Sequence, residues 1–209
     1  MNPSSARLAL SLTLALLVAS SLAAADDTVS GEKLAYTCHG CHGIPDYKNA
    51  FPVYSVPKLG GQHSAYLIVA LKEYASQERP HPTMHAQAST MSEESMVAIA
   101  RFMSGEELKS TGHAVGTAPK ASQTCGACHG ADGIATVAEY PNLAGQHPDY
   151  IEHALKAYRS GQRKNAVMAG MASALTDEDI DELAEYYGRQ QPSLCSTDEV
   201  RENGHCPAP

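Results

Sequence analysis

The sequence predicts an all-α protein of two tandem, repeat-related domains, and three observations carry that prediction. Two copies of the pattern C-x-x-C-H stand 87 residues apart, at Cys38-His39-Gly40-Cys41-His42 and Cys125-Gly126-Ala127-Cys128-His129. An ungapped repeat follows them: residues 57–103 set against 141–187 share 17 identities in 47 positions at a constant offset of 84. Within it the apolar residues recur at helical spacing, and no convincing strand-like alternation interrupts them.

C-x-x-C-H is the attachment pattern of c-type haem. In a helical turn its two thiols face the same way and form thioethers with the two vinyl groups of one porphyrin, while the following histidine is carried onto the iron. Cys38, Cys41, Cys125 and Cys128 are thus the candidate covalent anchors of two haem c groups, with His42 and His129 as proximal iron ligands. For a single copy the rivals are a zinc site and a redox-active C-x-x-C pair. Zinc lacks the second C-x-x-C or H-x-x-x-H that closes a tetrahedral site, and a thioredoxin-like pair calls for a βαβ pattern that is not visible.

Compartment and charge agree with this chemistry. Residues 1–25 have Arg7 as their only charge, then an apolar run from Leu8 to Val18 and small residues before Asp26-Asp27. They read as a secretory signal peptide cleaved after Ala25, with an uncleaved membrane anchor as the weaker alternative. Such haem is attached outside the bacterial cytoplasm, so the expected location is the periplasm. The full chain has 15 basic and 23 acidic residues, a net charge of −8. That balance argues against nucleic acid and anionic bilayers as partners and favours a redox protein with a basic patch.

The helices follow in order. A short helix leads into each C-x-x-C-H. After each G-Q-H, Tyr66, Leu67, Ala70, Leu71 and Tyr74 share one helical face, as do Tyr150, Ile151, Ala154, Leu155 and Tyr158. A last amphipathic helix opens at the N-cap residues Ser92 and Thr176, with Met96, Ile99, Phe102 and Met103 or Ile180, Leu183, Tyr186 and Tyr187 turned inward. The domains expected are residues 26–106 and 121–191, joined by a Gly-, Ser-, Thr- and Pro-rich linker at 107–120 and followed by a tail at 192–209. In the tail, Cys195 and Cys206 are spaced for a short-loop disulfide, with free thiols or a bridge to another chain as the alternatives.

The repeat also supplies a candidate for the sixth iron position. Met84 and Met168 align at the offset of 84, on what reads as a loop before the last helix. A thioether there stabilises ferrous iron and raises the potential relative to a second imidazole. Met91, Met96, Met103 and Met171 have no repeat-related methionine and read as packing residues. His81 and His85 flank Met84 but stand opposite Asn165 and Ala169, and the recurring His63 and His147 sit directly before a helix, where a cap or hydrogen-bonding role fits them better.

Taken together, the tandem C-x-x-C-H-G motifs, P-x-L-x-G-Q-H at 57–63 and 141–147, Arg79 and Arg163, and Leu175-Thr176-Asp177-Glu178-Asp179-Ile180 resemble the di-haem cytochromes c of the c4 type. The resemblance covers roughly residues 30 to 190. It implies two cytochrome c-type domains related by a pseudo-twofold axis, haem propionates facing one another across their interface, and an electron carrier between a cytochrome bc complex and a terminal oxidase. It also implies loose attachment to a membrane face in some members. The competing expectations are the electron-transfer subunit or partner of a periplasmic oxidoreductase, and a di-haem peroxidase-like enzyme. The first repeat departs from the second at Ile44 to Val56, where it carries three extra residues.

Overall fold

The computed structural model describes residues 30–207, so the leader expected at residues 1–25 lies outside the described residues. The first repeat contains α1 (Gly31–Leu34), α2 (His39–His42), α3 (Ser64–Ala75), α4 (Pro82–Ala88) and α5 (Glu93–Ser104). The second contains α6 (Ser122–His129), α7 (Pro148–Arg159), α8 (Ala166–Ala172) and α9 (Asp177–Gly188), and α10 (Thr197–Asn203) lies in the tail. Among the described residues the only β pairing is two isolated bridges, Lys48 with Ser55 and Gly60 with Cys195.

The closing helices start where their caps place them. The Ser92 side chain accepts from the Ser95 amide, and Thr176 with Asp179 forms a reciprocal capping box. The acids in both first turns sit at the positive end of the helix dipole. In the first repeat α1 and α3 pack on α5, burying Leu67 with Ile99, Ala100 and Met103. In the second α7 packs on α9, burying Ile151 with Leu183, Ala184, Tyr186 and Tyr187.

One local expectation is corrected. Met84 and Met168 stand on the short helices α4 and α8 and not on loops. The reason is capping: the side chains of His81 and Asn165 accept from the amides of Met84 and Met168 at 3.2 and 3.1 Å, and Pro82 is preset for the first turn of α4. Seven residues are too few for a periodic pattern to declare itself.

The two repeats meet through a reciprocal set of hydrogen bonds. Gln62 donates to the Asn142 carbonyl at 2.9 Å and accepts from the Asn142 amide at 2.7 Å. Gln146 does the same with Lys58, at 3.0 Å both ways. Asn142 and Lys58 are themselves repeat equivalents, and each donates its side chain to the glycine carbonyl of the other repeat, Gly61 or Gly145. Each bond is matched by its counterpart, which is the signature of a pseudo-twofold axis. Gly61 and Gly145 hold φ of +76° and +68°, so a side chain there is strained and the turn before each glutamine depends on glycine.

Two segments break the symmetry. The longer loop of the first repeat reaches onto α7: Lys48 pairs with Asp149 at 3.1 Å, Ser55 donates to the same carboxylate, and Tyr54 stacks on His153 at 3.9 Å. The tail returns from the second repeat to the first. Its Cys195–Cys206 disulfide closes a loop that packs on Gly60, Gly61 and Leu108, and Thr197 bonds the ring of His39 at 3.0 Å. Replacing Cys195 and Cys206 together by serine is expected to cost about 2–4 kcal/mol, because the bridge restricts the unfolded chain. Denaturant unfolding measures that loss, and limited proteolysis reports release of α10 from the first repeat.

Candidate haem sites

Each C-x-x-C-H lies at a helix: α2 holds His39 to His42 directly after Cys38, and α6 runs into His129. All four motif cysteines are half-buried free thiols, as covalent attachment to a porphyrin requires. Burial pushes the Cys38 and Cys125 thiols up, away from the thiolate form that a metal ion prefers. No three His, Cys, Asp or Glu side chains converge on a metal-ion site among the described residues.

The two motif histidines are held identically. Nδ1 of His42 bonds the Pro57 carbonyl at 2.9 Å, and Nδ1 of His129 bonds the Pro141 carbonyl at 2.9 Å. Burial pushes His42 down to about 4, with the nearby Arg79 charge adding to the effect, and burial also lowers His129. Both rings are therefore neutral near pH 7, with Nδ1–H committed as donor and the Nε2 lone pair left for a metal. The prolines begin the recurring P-x-L-x-G-Q-H segment, so the residue that orients each motif imidazole belongs to the segment that joins the domains.

On the other side of each repeat the candidate methionines are half-buried on α4 and α8. Their histidine neighbours are already engaged. His81 accepts at Nδ1 from the Met84 amide and meets Asn49 Oδ1 at 3.3 Å through Nε2. His85 reaches the Tyr74 carbonyl and Gln77 at 3.0 Å each. His63 spends Nδ1 on Glu107 and Nε2 on the Ala135 carbonyl of the second repeat. It occupies an N-cap position without making a side-chain cap bond, so its work is to tie linker and domains together.

A cluster that residue patterns did not assign lies across the domain boundary. Arg79 and Arg163 are 7% and 6% exposed, and among the described residues neither forms an ion pair with a carboxylate. The Tyr66 hydroxyl accepts from Arg79 at 3.3 Å and from Arg163 at 3.1 Å, Arg79 also bonds Tyr150, and Nε of Arg163 has no partner. The guanidiniums lie over the Tyr74 and Tyr158 rings, 4.5 and 4.4 Å from their centroids. Burial alone raises the Tyr66 phenol, but Arg79 and Arg163 outweigh it and hold it below its usual value. Two buried cations with donors to spare fit the carboxylates that a haem presents as propionates. The available signal was recurrence: these tyrosines and arginines repeat at the offset of 84 outside the haem motif.

Comparison with known proteins agrees with this geometry. The family described as cytochrome c matches residues 118–187. Cytochrome c-554(548) of Halomonas halodenitrificans is 52% identical over 71 residues, covering 32% of this chain and 86% of that one. A thiosulfate dehydrogenase electron acceptor of Stutzerimonas stutzeri is 30% identical over 171 residues, covering 73% of this chain and 78% of that one. The solved cytochrome c4 of Acidithiobacillus ferrooxidans superposes with a TM-score of 0.58 at 25% identity, over 74% of this chain and 98% of that one. This chain belongs to the cytochrome c family, as a di-haem cytochrome of the c4 type.

As a c4-type cytochrome it is an electron carrier with covalently bound haem c, and its partners are redox proteins. The Arg–Tyr cluster generates a stability test in this cytochrome. Tyr66→Phe removes the hydrogen bond that Arg163 makes and is expected to cost about 1–3 kcal/mol. Tyr150→Phe is expected to cost less, because Arg79 keeps its bond to Tyr66. Denaturant unfolding of the two holoproteins side by side checks the order.

Proposed function

We propose that this cytochrome is exported to the periplasm and relays electrons through two closed haems, each iron held between a histidine and a methionine. Cys38 and Cys41 anchor the first haem and Cys125 and Cys128 the second; His42 with Met84, and His129 with Met168, are the axial pairs. The observation that carries this reading is the matched donor set. In both repeats the motif histidine keeps Nε2 free and the methionine stands on a capped helix, and in the first repeat the flanking His81 and His85 have both ring nitrogens engaged. The domains are residues 26–106 and 121–191, with a linker at 107–120 and a tail at 192–209.

Haem c supplies one-electron exchange between ferric and ferrous iron. The chain's residues set its terms. The Pro57 and Pro141 carbonyls orient the imidazoles and raise their basicity, while the thioethers of Met84 and Met168 favour the ferrous state. Arg79 and Arg163, buried at the domain boundary with a donor unused, would hold haem propionates and offset their charge.

For partners we favour a cytochrome bc complex as donor and a terminal oxidase as acceptor. A second reading, acceptor for a periplasmic oxidoreductase, draws on the 30% identity to the thiosulfate dehydrogenase electron acceptor. Rapid-mixing reduction by a bc complex with quinol, compared with a thiosulfate dehydrogenase with thiosulfate, separates them: the faster donor is the expected partner. For the ligands, Met84→Ala and Met168→Ala are each expected to remove half of the far-red sulfur-to-iron charge-transfer absorption of the oxidised protein and to lower one potential. An unchanged spectrum in both variants means the ligands are misassigned.

A further inference from the structure

Both C-x-x-C-H-G motifs end against a carboxylate, but different parts of the chain supply it. A Cβ added at Gly130, directly after His129, would lie 3.0 Å from Asp132 Oδ1. Asp132 is buried and makes its bonds close by: Oδ1 accepts from the Ile134 amide, and Oδ2 from Ser110, Thr111 and Gly112 of the linker. At the motif offset of 87 the first repeat has Pro45, which brings no carboxylate. The tail fills the place. A Cβ added at Gly43, directly after His42, would lie 2.7 Å from Oδ1 of Asp198.

The tail is fastened so as to keep that carboxylate there. The backbone of Cys195 pairs with Gly60 in both directions, at 3.1 and 3.2 Å, and the Glu106 amide donates to the Gly204 carbonyl at 3.0 Å, so α10 is tied to the first repeat at both ends. The Cys195–Cys206 bridge links the two ties. Between them, buried Thr197 and Asp198 meet Nδ1 of His39 at 3.0 and 3.3 Å, and Phe102 of α5 packs edge-on against the same ring. His39 stands inside the first motif, between the anchoring cysteines, so the tail grips the motif itself. Arg201 pairs with Asp198 at 3.3 Å from an exposed position and offsets part of its charge.

We propose that Asp198 and Thr197 are positioning residues of the first haem. The disulfide-closed tail restores to the first motif the carboxylate that the second carries in its own sequence, and it sets the potential of the first haem by doing so. A negative charge beside the proximal histidine stabilises ferric over ferrous iron, and releasing the tail removes it. The proposal rests on reading His42 as the iron ligand of a haem attached at Cys38 and Cys41.

The test follows the two haems of the holoprotein separately, in a redox titration monitored by magnetic resonance of the haem methyl groups, assigned through their contacts with the His42 and His129 rings. Asp198→Asn is expected to shift the ferrous-to-ferric ratio of the first haem at fixed potential by about three-fold toward ferrous, and to leave the second haem unchanged. Asp198→Glu, which keeps the charge, is expected to hold the wild-type ratio. Cys195→Ser with Cys206→Ser loosens the tail and is expected to shift the first haem in the same direction as Asp198→Asn. An unchanged first haem in Asp198→Asn or in the double serine variant overturns the proposal. So do equal shifts at both haems, which report net charge alone, and an Asp198→Glu shift as large as that of Asp198→Asn, which reports packing alone. Failure of the haem reading shows separately: the His42 ring then contacts no haem methyl, or the peptide with Cys38 and Cys41 carries no haem by mass, whereas failure of the proposal leaves both in place.

Discussion

The bond from each motif histidine to a proline carbonyl is the constraint on which the rest depends. At 2.9 Å in both repeats it fixes the tautomer, the ring plane and the free nitrogen. The carbonyl is in turn held by its own segment. Two residues after the proline, Leu59 or Leu143 packs on the core of its repeat; two further on, a left-handed glycine turns the chain; the next residue is the glutamine that grips the other domain. One seven-residue stretch thus ties the motif imidazole, core and interface together, so domain separation and imidazole orientation are not independent. A substitution that loosens Gln62 acts at a distance on His42.

The interface stores an electrostatic cost that the protein alone does not settle. Burying two guanidiniums close together is unfavourable both through lost hydration and mutual repulsion. Phenol oxygens and ring faces offset part of this, and they do so asymmetrically, since Tyr66 serves both arginines while Arg163 keeps an unused Nε. A haem propionate placed there would complete the balance, and haem would then be a structural member of the domain boundary as well as its redox centre.

What the sequence made legible follows from what is local. The C-x-x-C-H motifs, the G-Q-H turns, the caps at Ser92 and Thr176 and the inward faces of α3, α5, α7 and α9 are all patterns within a dozen residues, and the structure keeps them. The Met84 and Met168 helices escaped because seven residues bear too little periodicity to outweigh a loop-like composition. The Gln62–Asn142 and Gln146–Lys58 pairs escaped for another reason. Their partners lie 80 and 88 residues apart, and backbone acceptors leave no residue type to recognise. Recurrence of buried tyrosine and arginine was visible, but its meaning required knowing that the two repeats face each other.

Near-symmetry makes the departures from it informative. Duplication alone gives two equivalent haems and two equivalent surfaces, which serves electron storage but gives a relay no direction. The asymmetric elements tie the two domains together unequally. The extra loop braces the first repeat on α7, and the disulfide-closed tail wraps back over its haem motif, binding His39 where the second motif has Gly126. The second repeat takes the loop on α7 and the start of the tail on Gly145, while its α8 leaves Val167 and Met171 exposed. The two C-x-x-C-H motifs thus sit in unlike surroundings, so whatever distinguishes the two haems comes from these contacts, with the paired candidate donor sets left chemically alike.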